Sequence, residues 1–242
     1  FKYKKNQIIN AENSGTLGRL ILGLLVKSPF KIKVIGDKSL SKRDFSRVTI
    51  PLEKFGVTFD YKNENKLPLS ILGSQSIKDI NYFEKRGSAQ CKSSIMLAAL
   101  NASGTTFIKA KKSRNHSELL FKYLKIPIKI KKTKKYDFIN IQKPKKIKAF
   151  NYQIPGDISS SAFFIVLTML ANDSKLLIKN VNINPSRMGA ITILKKMGAK
   201  IYLKNKKNYK GEKISDILIR SSNNLKSINC PSELNSSAID EF

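Results

Sequence analysis

Histidine, cysteine and acidic residues are all scarce in this chain. Of its 242 residues, one is histidine, His116, and two are cysteine, Cys91 and Cys230. A single imidazole leaves little for a histidine-ligated zinc or a Ser-His-Asp triad. Two cysteines so far apart make neither a disulfide framework nor a metal-type spacing. A reducing cytoplasm is therefore the expected setting. No stretch reaches the roughly 18 apolar residues of a membrane span, and the longest patch, near Ala162–Ala171, is interrupted by Thr168. No charged-then-apolar leader opens the sequence. Phe1 is not an initiator residue, and both ends are expected to be cut.

Acids number 17 against 46 basic residues, for a net charge of +29. Such an excess suggests nucleic acid. The lysines are spread through almost every segment, however, and the linear order shows no basic stripe interleaved with aromatics, as a single-strand groove requires. Lysine, isoleucine and asparagine are abundant together, as in sequences with AT-rich codons. No nucleic acid and no membrane are expected as partners. Small anions such as phosphates and carboxylates suit the charge better. With 41% apolar and 26% charged residues, the composition is globular, and the length fits one large domain or two smaller ones.

What is present is a repeat. Three segments share one order: a small-residue start, an apolar helix, a strand, a polar loop, a second helix, a strand. They start at Ser14, Ser88 and Ser159, 74 and 71 residues apart. They close on Phe55-Gly56-Val57, Leu124-Lys125-Ile126 and Met197-Gly198-Ala199. In the first and third, glycine follows an amphipathic helix (45–55 and 188–197), where a left-handed residue costs glycine least. The middle unit lacks that glycine, so its helix is expected to end differently. Helices alternating with strands imply an α/β architecture. The lysine-rich stretch 131–148, followed by Ile154-Pro155-Gly156-Asp157, is the candidate domain boundary.

Several helix starts could hold anions. Asn13-Ser14-Gly15-Thr16 precedes a helix with Leu17, Leu20, Ile21 and Leu24 along one apolar face. Backbone N–H groups and the helix dipole there favour negative charge, although alone these residues fit an ordinary cap better. Ser88-Ala89-Gln90 repeats the geometry, offering a hydroxyl, an amide and, at Lys92, a charge. Cys91 has no adjacent base and reads as core. Arg43, after the turn at Gly36-Asp37, can grip a carboxylate or phosphate in bidentate fashion. Ser113 and Arg114 make a plausible phosphate clamp, beside a His116 that reads as capping or packing. Asp240 and Glu241 are neighbours that should point apart, so that at most one serves a given site as a base.

In order along nearly the whole chain, these motifs resemble the 5-enolpyruvylshikimate-3-phosphate synthase family. The matching stretches are Asn13-Ser14-Gly15-Thr16 with Arg19; Gly36-Asp37 through Arg43, Arg47-Val48, Pro51-Leu52 and Phe55-Gly56; and Ser88-Ala89-Gln90 with Lys92-Ser93. Ser113-Arg114-Asn115-His116-Ser117-Glu118, Pro155-Gly156-Asp157-Ile158-Ser159-Ser160, Asn184-Pro185-Ser186-Arg187 and Ala238-Ile239-Asp240-Glu241-Phe242 complete them.

The resemblance implies repeated α/β units of the enolpyruvyl transferase fold, a two-domain inverted α/β barrel type that is incomplete here. Residues 1–152 would form the larger part of the first substrate-binding domain and 153–242 the beginning of the second. It implies transfer of the carboxyvinyl group of phosphoenolpyruvate to the 5-hydroxyl of shikimate 3-phosphate, without metal or organic cofactor, by a cytoplasmic protein that is monomeric when full length. By the same resemblance Gly15, Arg43 and Gln90 meet phosphoenolpyruvate. Ser88, Ala89, Gln90, Ser113, Arg114 and Asp240 meet shikimate 3-phosphate, and Asp240 is the acid–base.

Three positions depart from the family pattern. Asp44 stands where proline is usual and puts a negative charge beside Arg43; Gly18 replaces a larger residue, and Asn115 an aspartate. Gly36-Asp37-Lys38-Ser39 superficially matches the family's N-terminal Lys-Ser motif, but its continuation matches the later arginine motif, so Lys38 receives no role. The Lys-Ser-Arg segment and everything after Phe242 are absent, and the chain is expected to be inactive alone. The competing readings are a UDP-N-acetylglucosamine enolpyruvyl transferase, disfavoured by the Ser113–His116 stretch and the Ser88 loop, and a basic RNA-binding α/β module.

Overall fold

The computed structural model describes residues 3–241, except the side chain of Ser236. The chain forms two compact units. One comprises the residues up to Ser113 with Leu124–Ile147; the other comprises Arg114–Tyr123 with the residues from Lys148 onward.

The first unit contains two turns of the repeat. Strand β1 (Ile8–Asn10) leads into helix α1 (Gly15–Leu24), β2 (Ile32–Ile35), α2 (Ser46–Glu53), β3 (Thr58–Tyr61) and β4 (Leu69–Leu72). Then come β5 (Asn81–Glu84), α3 (Ala89–Ala99), β6 (Thr105–Lys111), α4 (His116–Tyr123), β7 (Ile128–Lys132) and β8 (Tyr136–Gln142), with α4 assigned to the second unit. The second unit continues with α5 (Ile158–Leu170), β9 (Lys175–Asn182), α6 (Gly189–Lys196), β10 (Lys200–Tyr209), β11 (Glu212–Arg220) and α7 (Asn235–Ala238). Strand β8 occupies part of the stretch read as a boundary, so only the residues after it are free to link.

The sheets show that the repeat is structural. In the first, β1 lies parallel to β2, β2 antiparallel to β4, and β4 antiparallel to β3. The second has the same order, β5-β6-β8-β7, with the same senses. The third runs β9-β11-β10, and Gly156 makes one parallel bridge to Val181 where the others have a whole first strand. Three helices begin alike: the side chains of Ser14, Ser88 and Asp157 accept hydrogen bonds from the N–H three residues on, at 3.1, 3.2 and 2.8 Å. The third unit thus begins two residues before Ser159.

The second helices also end alike, contrary to expectation for the middle unit. Gly56 and Gly198 take φ of +97° and +101°, and Lys125 takes φ +55° in the same position. The left-handed turn is kept there without glycine, at the steric cost of a Cβ.

Helix α1 buries most deeply a face other than the stripe of Leu17, Leu20, Ile21 and Leu24. Gly15, Gly18, Arg19, Leu22 and Gly23 are buried, while Leu17 is exposed. A Cβ on Gly23 would sit 2.2 Å from the carbonyl oxygen of Ser94, so glycine permits the close approach of α1 and α3. Ser94 seals that approach by donating to the Arg19 carbonyl at 3.0 Å. In the second unit, α5 and α6 pack on β9–β11 through Ile158, Ile165, Met169, Ile191, Ile201 and Ile217. Among the described residues, no helix is long and apolar enough to cross a membrane.

Candidate active site

In the first unit the repeat brings the N-termini of α1 and α3, both capped by serine, beside a cluster of arginines. Arg19, one turn beyond Gly15 and so on the same helix face, is 5% exposed. Its Nη1 donates to Gln90 Oε1 at 2.8 Å, and Gln90 Nε2 donates to Thr16 Oγ1 at 2.8 Å. The Phe45 ring lies 5.0 Å from its guanidinium carbon. A methyl group on Gly15 would fall 2.8 Å from Arg19 Nη1 and 3.3 Å from Arg43 Nη1, so this glycine leaves room for two guanidiniums at a helix start.

The charge gathered there is unbalanced. Burial lowers the Arg19 pKa, and the nearby cations Arg47 and Arg43 lower it further, outweighing the opposite effect of the Asp44 carboxylate. Among the described residues, Arg19, Arg43 and Arg47 make no ion pair with a carboxylate, and the buried Nε atoms of Arg19 and Arg47 have no hydrogen-bond partner. The guanidiniums of Arg19 and Arg43 beside the first amides of α1, which have no intrahelical acceptor, can receive an anion.

Asp44, whose charge was expected beside Arg43, turns instead to the start of α2. It accepts from Ser46 N and Ser46 Oγ, both at 2.7 Å. Burial opposes its ionisation, but these bonds and the neighbouring Arg47 and Arg86 hold the carboxyl below the usual range. Asp37 accepts from Asn13 Nδ2 at 2.6 Å and Leu40 N at 2.7 Å, tying the turn that carries Arg43 to the loop before α1.

At α3, Ser88 Oγ caps the helix, and the buried Glu84 takes the amides of Gly87 and Ser88 at 2.6 and 3.0 Å. Ala89 contributes only backbone. Lys92, read as a charge of this loop, is fully buried. Cys91 is buried and its Sγ donates to the Arg47 carbonyl at 2.9 Å. Burial, with Glu84 nearby, pushes its thiol up to about 12, which rules out a ready nucleophile. Ser113 keeps a buried Oγ without a partner among the described residues.

The second unit holds another charged cluster. Arg114 is ion-paired to Asp240. Arg187 Nη2 reaches Asp157 Oδ1 at 2.9 Å, Ser159 Oγ at 2.5 Å and Asp240 Oδ2 at 3.9 Å. Ser159 Oγ donates to Glu241 Oε1 at 2.5 Å. Asp240 and Glu241 therefore reach different partners, Arg114 and Ser159, and are linked through Arg187 into one network. Beside it, a cavity of about 320 Å³ is lined by His116, Asp157, Arg187, Lys210 and Glu212 among others. His116 Nδ1 lies 2.6 Å from Glu212 Oε1, and Asn184 Nδ2 donates to Glu212 Oε2 at 3.2 Å. Burial alone would raise the pKa of Glu212, but the hydrogen bond and charge of His116, with Asn182 and Asn184, outweigh it and lower the pKa.

Of the residues expected at a site, Gly15, Arg43 and Gln90 come together, with Ser88 capping and Ala89 opening the helix that carries Gln90; Arg114 and Asp240 come together in the second unit. Arg19, Thr16, Arg47 and Arg187 were motif members without an assigned role. The four-residue step from Gly15 to Arg19 was the available signal, since it places both on one helix face.

The sequence profile of the EPSP synthase (3-phosphoshikimate 1-carboxyvinyltransferase) family matches residues 1–231. Curated proteins called 3-phosphoshikimate 1-carboxyvinyltransferase are similar. That of Hydrogenovibrio crunogenus is 41% identical over 99% of this chain and 54% of its own length. That of Ruthia magnifica is 44% identical over 95% and 52%. The solved EPSP synthase of Acinetobacter baumannii superposes with a TM-score of 0.83 at 37% identity, covering 98% of this chain and 53% of that one. The chain spans about half the length of the curated relatives it matches.

Proposed function

Because the chain belongs to the EPSP synthase family, we propose that it supplies part of the machinery that moves the carboxyvinyl group of phosphoenolpyruvate onto the 5-hydroxyl of shikimate 3-phosphate. The carrying observation is the arginine cluster around Gly15, in which Arg19 is buried and, among the described residues, no carboxylate is ion-paired to Arg19, Arg43 or Arg47. Phosphoenolpyruvate bears a carboxylate and a phosphate, and Arg43, Arg19 and the Gly15 amide offer charge-assisted bonds to such groups. Gln90, anchored between Arg19 and Thr16, presents its amide at the edge of that cluster.

In this reading Ser88, the Ala89 backbone, Ser113 and Arg114 hold shikimate 3-phosphate. Asp240 takes the proton of the 5-hydroxyl as its oxygen bonds to C2 of phosphoenolpyruvate and C3 gains a proton. Loss of a C3 proton then expels inorganic phosphate and restores the double bond. Guanidiniums around the phosphate stabilise the charge that builds on it as it leaves. Residues 1–152 would supply most of one substrate-binding domain and 153–242 the start of another, in a protein that is monomeric at full length, and the 242-residue chain alone would not turn over.

Steady-state assays of a full-length protein carrying these residues test the reading. Product should form from phosphoenolpyruvate with shikimate 3-phosphate and not with a UDP-sugar acceptor. Arg43→Ala should raise KM for phosphoenolpyruvate, and Asp240→Asn should lower kcat. Unchanged kinetics in both variants would refute the residue roles.

A further inference from the structure

The outer face of the β5-β6-β8-β7 sheet carries a second pattern. Its inner face is buried through Ile108, Ala110, Ile139 and Ile141. On the opposite face, register places Phe83, Lys109, Phe138 and Lys131 in one row across the four strands. The next row is Asn81, Phe107, Asn140 and Lys129, and Lys111 faces Tyr136 in the third. Aromatic rings and lysines thus alternate across the first row and are interspersed in the other two, and no acidic side chain stands in these rows. The alternation escapes a reading along the chain because its members come from strands far apart in sequence.

The rings form a platform. Phe107 and Phe138 stack with centroids 6.2 Å apart and planes 28° apart, and Phe83 meets Tyr136 edge-on at 5.6 Å. Lys109 Nζ lies 4.5 Å from the Phe83 centroid and 4.7 Å from that of Tyr136. A hollow of about 370 Å³ opens over Phe107 and Phe138, edged by Lys129, Lys131 and Asn140. The other two sheets lack the pattern. In the first, Phe59 and Tyr61 share the side of the buried Leu69 and Ile71, and the exposed side carries Asp60. In the third, the exposed side has Tyr202 with Asp216 paired opposite Lys204.

We propose that this face binds single-stranded nucleic acid. Unstacked bases have apolar faces that lie on exposed aromatic rings, and lysines spaced between the rings meet the phosphates. Asn140 adds an amide that can donate to or accept from a base edge. A duplex, with its bases stacked inward, offers nothing for the rings. The inference is independent of the arginine cluster and of the proposed reaction, since it uses none of their residues.

The test is fluorescence anisotropy with a labelled oligouridylate of about a dozen nucleotides, with the 242-residue chain at several salt concentrations. Phe107→Leu/Phe138→Leu keeps apolar packing but removes two ring faces and should weaken binding roughly ten-fold or more. Lys129→Gln/Lys131→Gln should flatten the salt dependence, its slope falling by about 0.7 for each phosphate no longer neutralised. Lys175→Gln/Lys200→Gln, the same charge change on the third sheet, should leave affinity near the parent value. Circular dichroism melts establish that each variant is folded, and the lysine pair stands as the test should the leucine pair not fold. The proposal is overturned if both lysine pairs weaken binding equally, if a folded leucine pair binds as tightly as the parent, or if duplex of the same length binds as well. Binding to phosphatidylserine vesicles in place of the oligonucleotide, abolished in the same variants, would overturn it in favour of a membrane surface.

Discussion

Replacing Arg19 with methionine should separate ligand binding from stability. The substitution removes the charge-assisted bond to Gln90, of about 1.5–3 kcal/mol, and the interaction with the Phe45 ring, up to about 2 kcal/mol when desolvated. Against these losses it relieves the desolvation of a buried guanidinium and its repulsion by Arg47 and Arg43, several kcal/mol for a buried ion. The two sides nearly offset, so urea unfolding of the 242-residue chain should shift by no more than about 1–2 kcal/mol in either direction. Anion binding has no such compensation. Losing one partner of a desolvated ion pair costs about 3–5 kcal/mol, or roughly two to three and a half orders of magnitude in affinity for phosphoenolpyruvate. Calorimetric titration of a full-length protein carrying these residues, beside the unfolding curve, reads both. A variant that binds phosphoenolpyruvate normally, or one that unfolds outright, would refute the idea that this arginine is held unpaired for a ligand.

Lys125 occupies the left-handed position that Gly56 and Gly198 fill in the other repeats; Lys125→Gly should therefore stabilise the chain by about 0.5–1 kcal/mol, and a loss in urea unfolding would contradict the shared helix ending. Thiol titration with Ellman's reagent at mildly alkaline pH should count one fast group, the exposed Cys230, and a second only in denaturant, because burial holds the Cys91 thiol near 12; two fast thiols in the native chain would disprove that burial. The Glu212 carboxyl is depressed in the folded state, so its contribution is complete above the ordinary glutamate value and disappears as the pH falls through the lower folded value. The melting temperature of Glu212→Gln should accordingly lie below the parent at neutral pH and converge with it in acid, and a constant gap would argue against the shift.

Much of this fold was legible because local signals recur. Small-residue starts, apolar helices and closing glycines at fixed spacing marked three units, and the sheets repeat one order of strands. The middle helix ending was illegible because a left-handed lysine leaves no mark in sequence. The orientation of α1 was misleading for another reason: the leucine stripe suggests the buried face, yet Gly23 and Gly15 face the close approaches of Ser94 and the arginines. The same limit hid the aromatic–lysine face, which exists only after β5, β6, β7 and β8 are in register. Arg43 and Gln90 could be assigned from motifs; the Arg19 link between Gln90 and the α1 start required packing.

The most direct measurement is a crystal structure of a full-length protein carrying these residues, soaked with phosphoenolpyruvate and shikimate 3-phosphate. An anionic group should lie within hydrogen-bond distance of Arg43 and the Gly15 amide, with Gln90 at its edge. Ligands bound elsewhere, with no anion at Arg43 and the Gly15 amide, would contradict the proposed site.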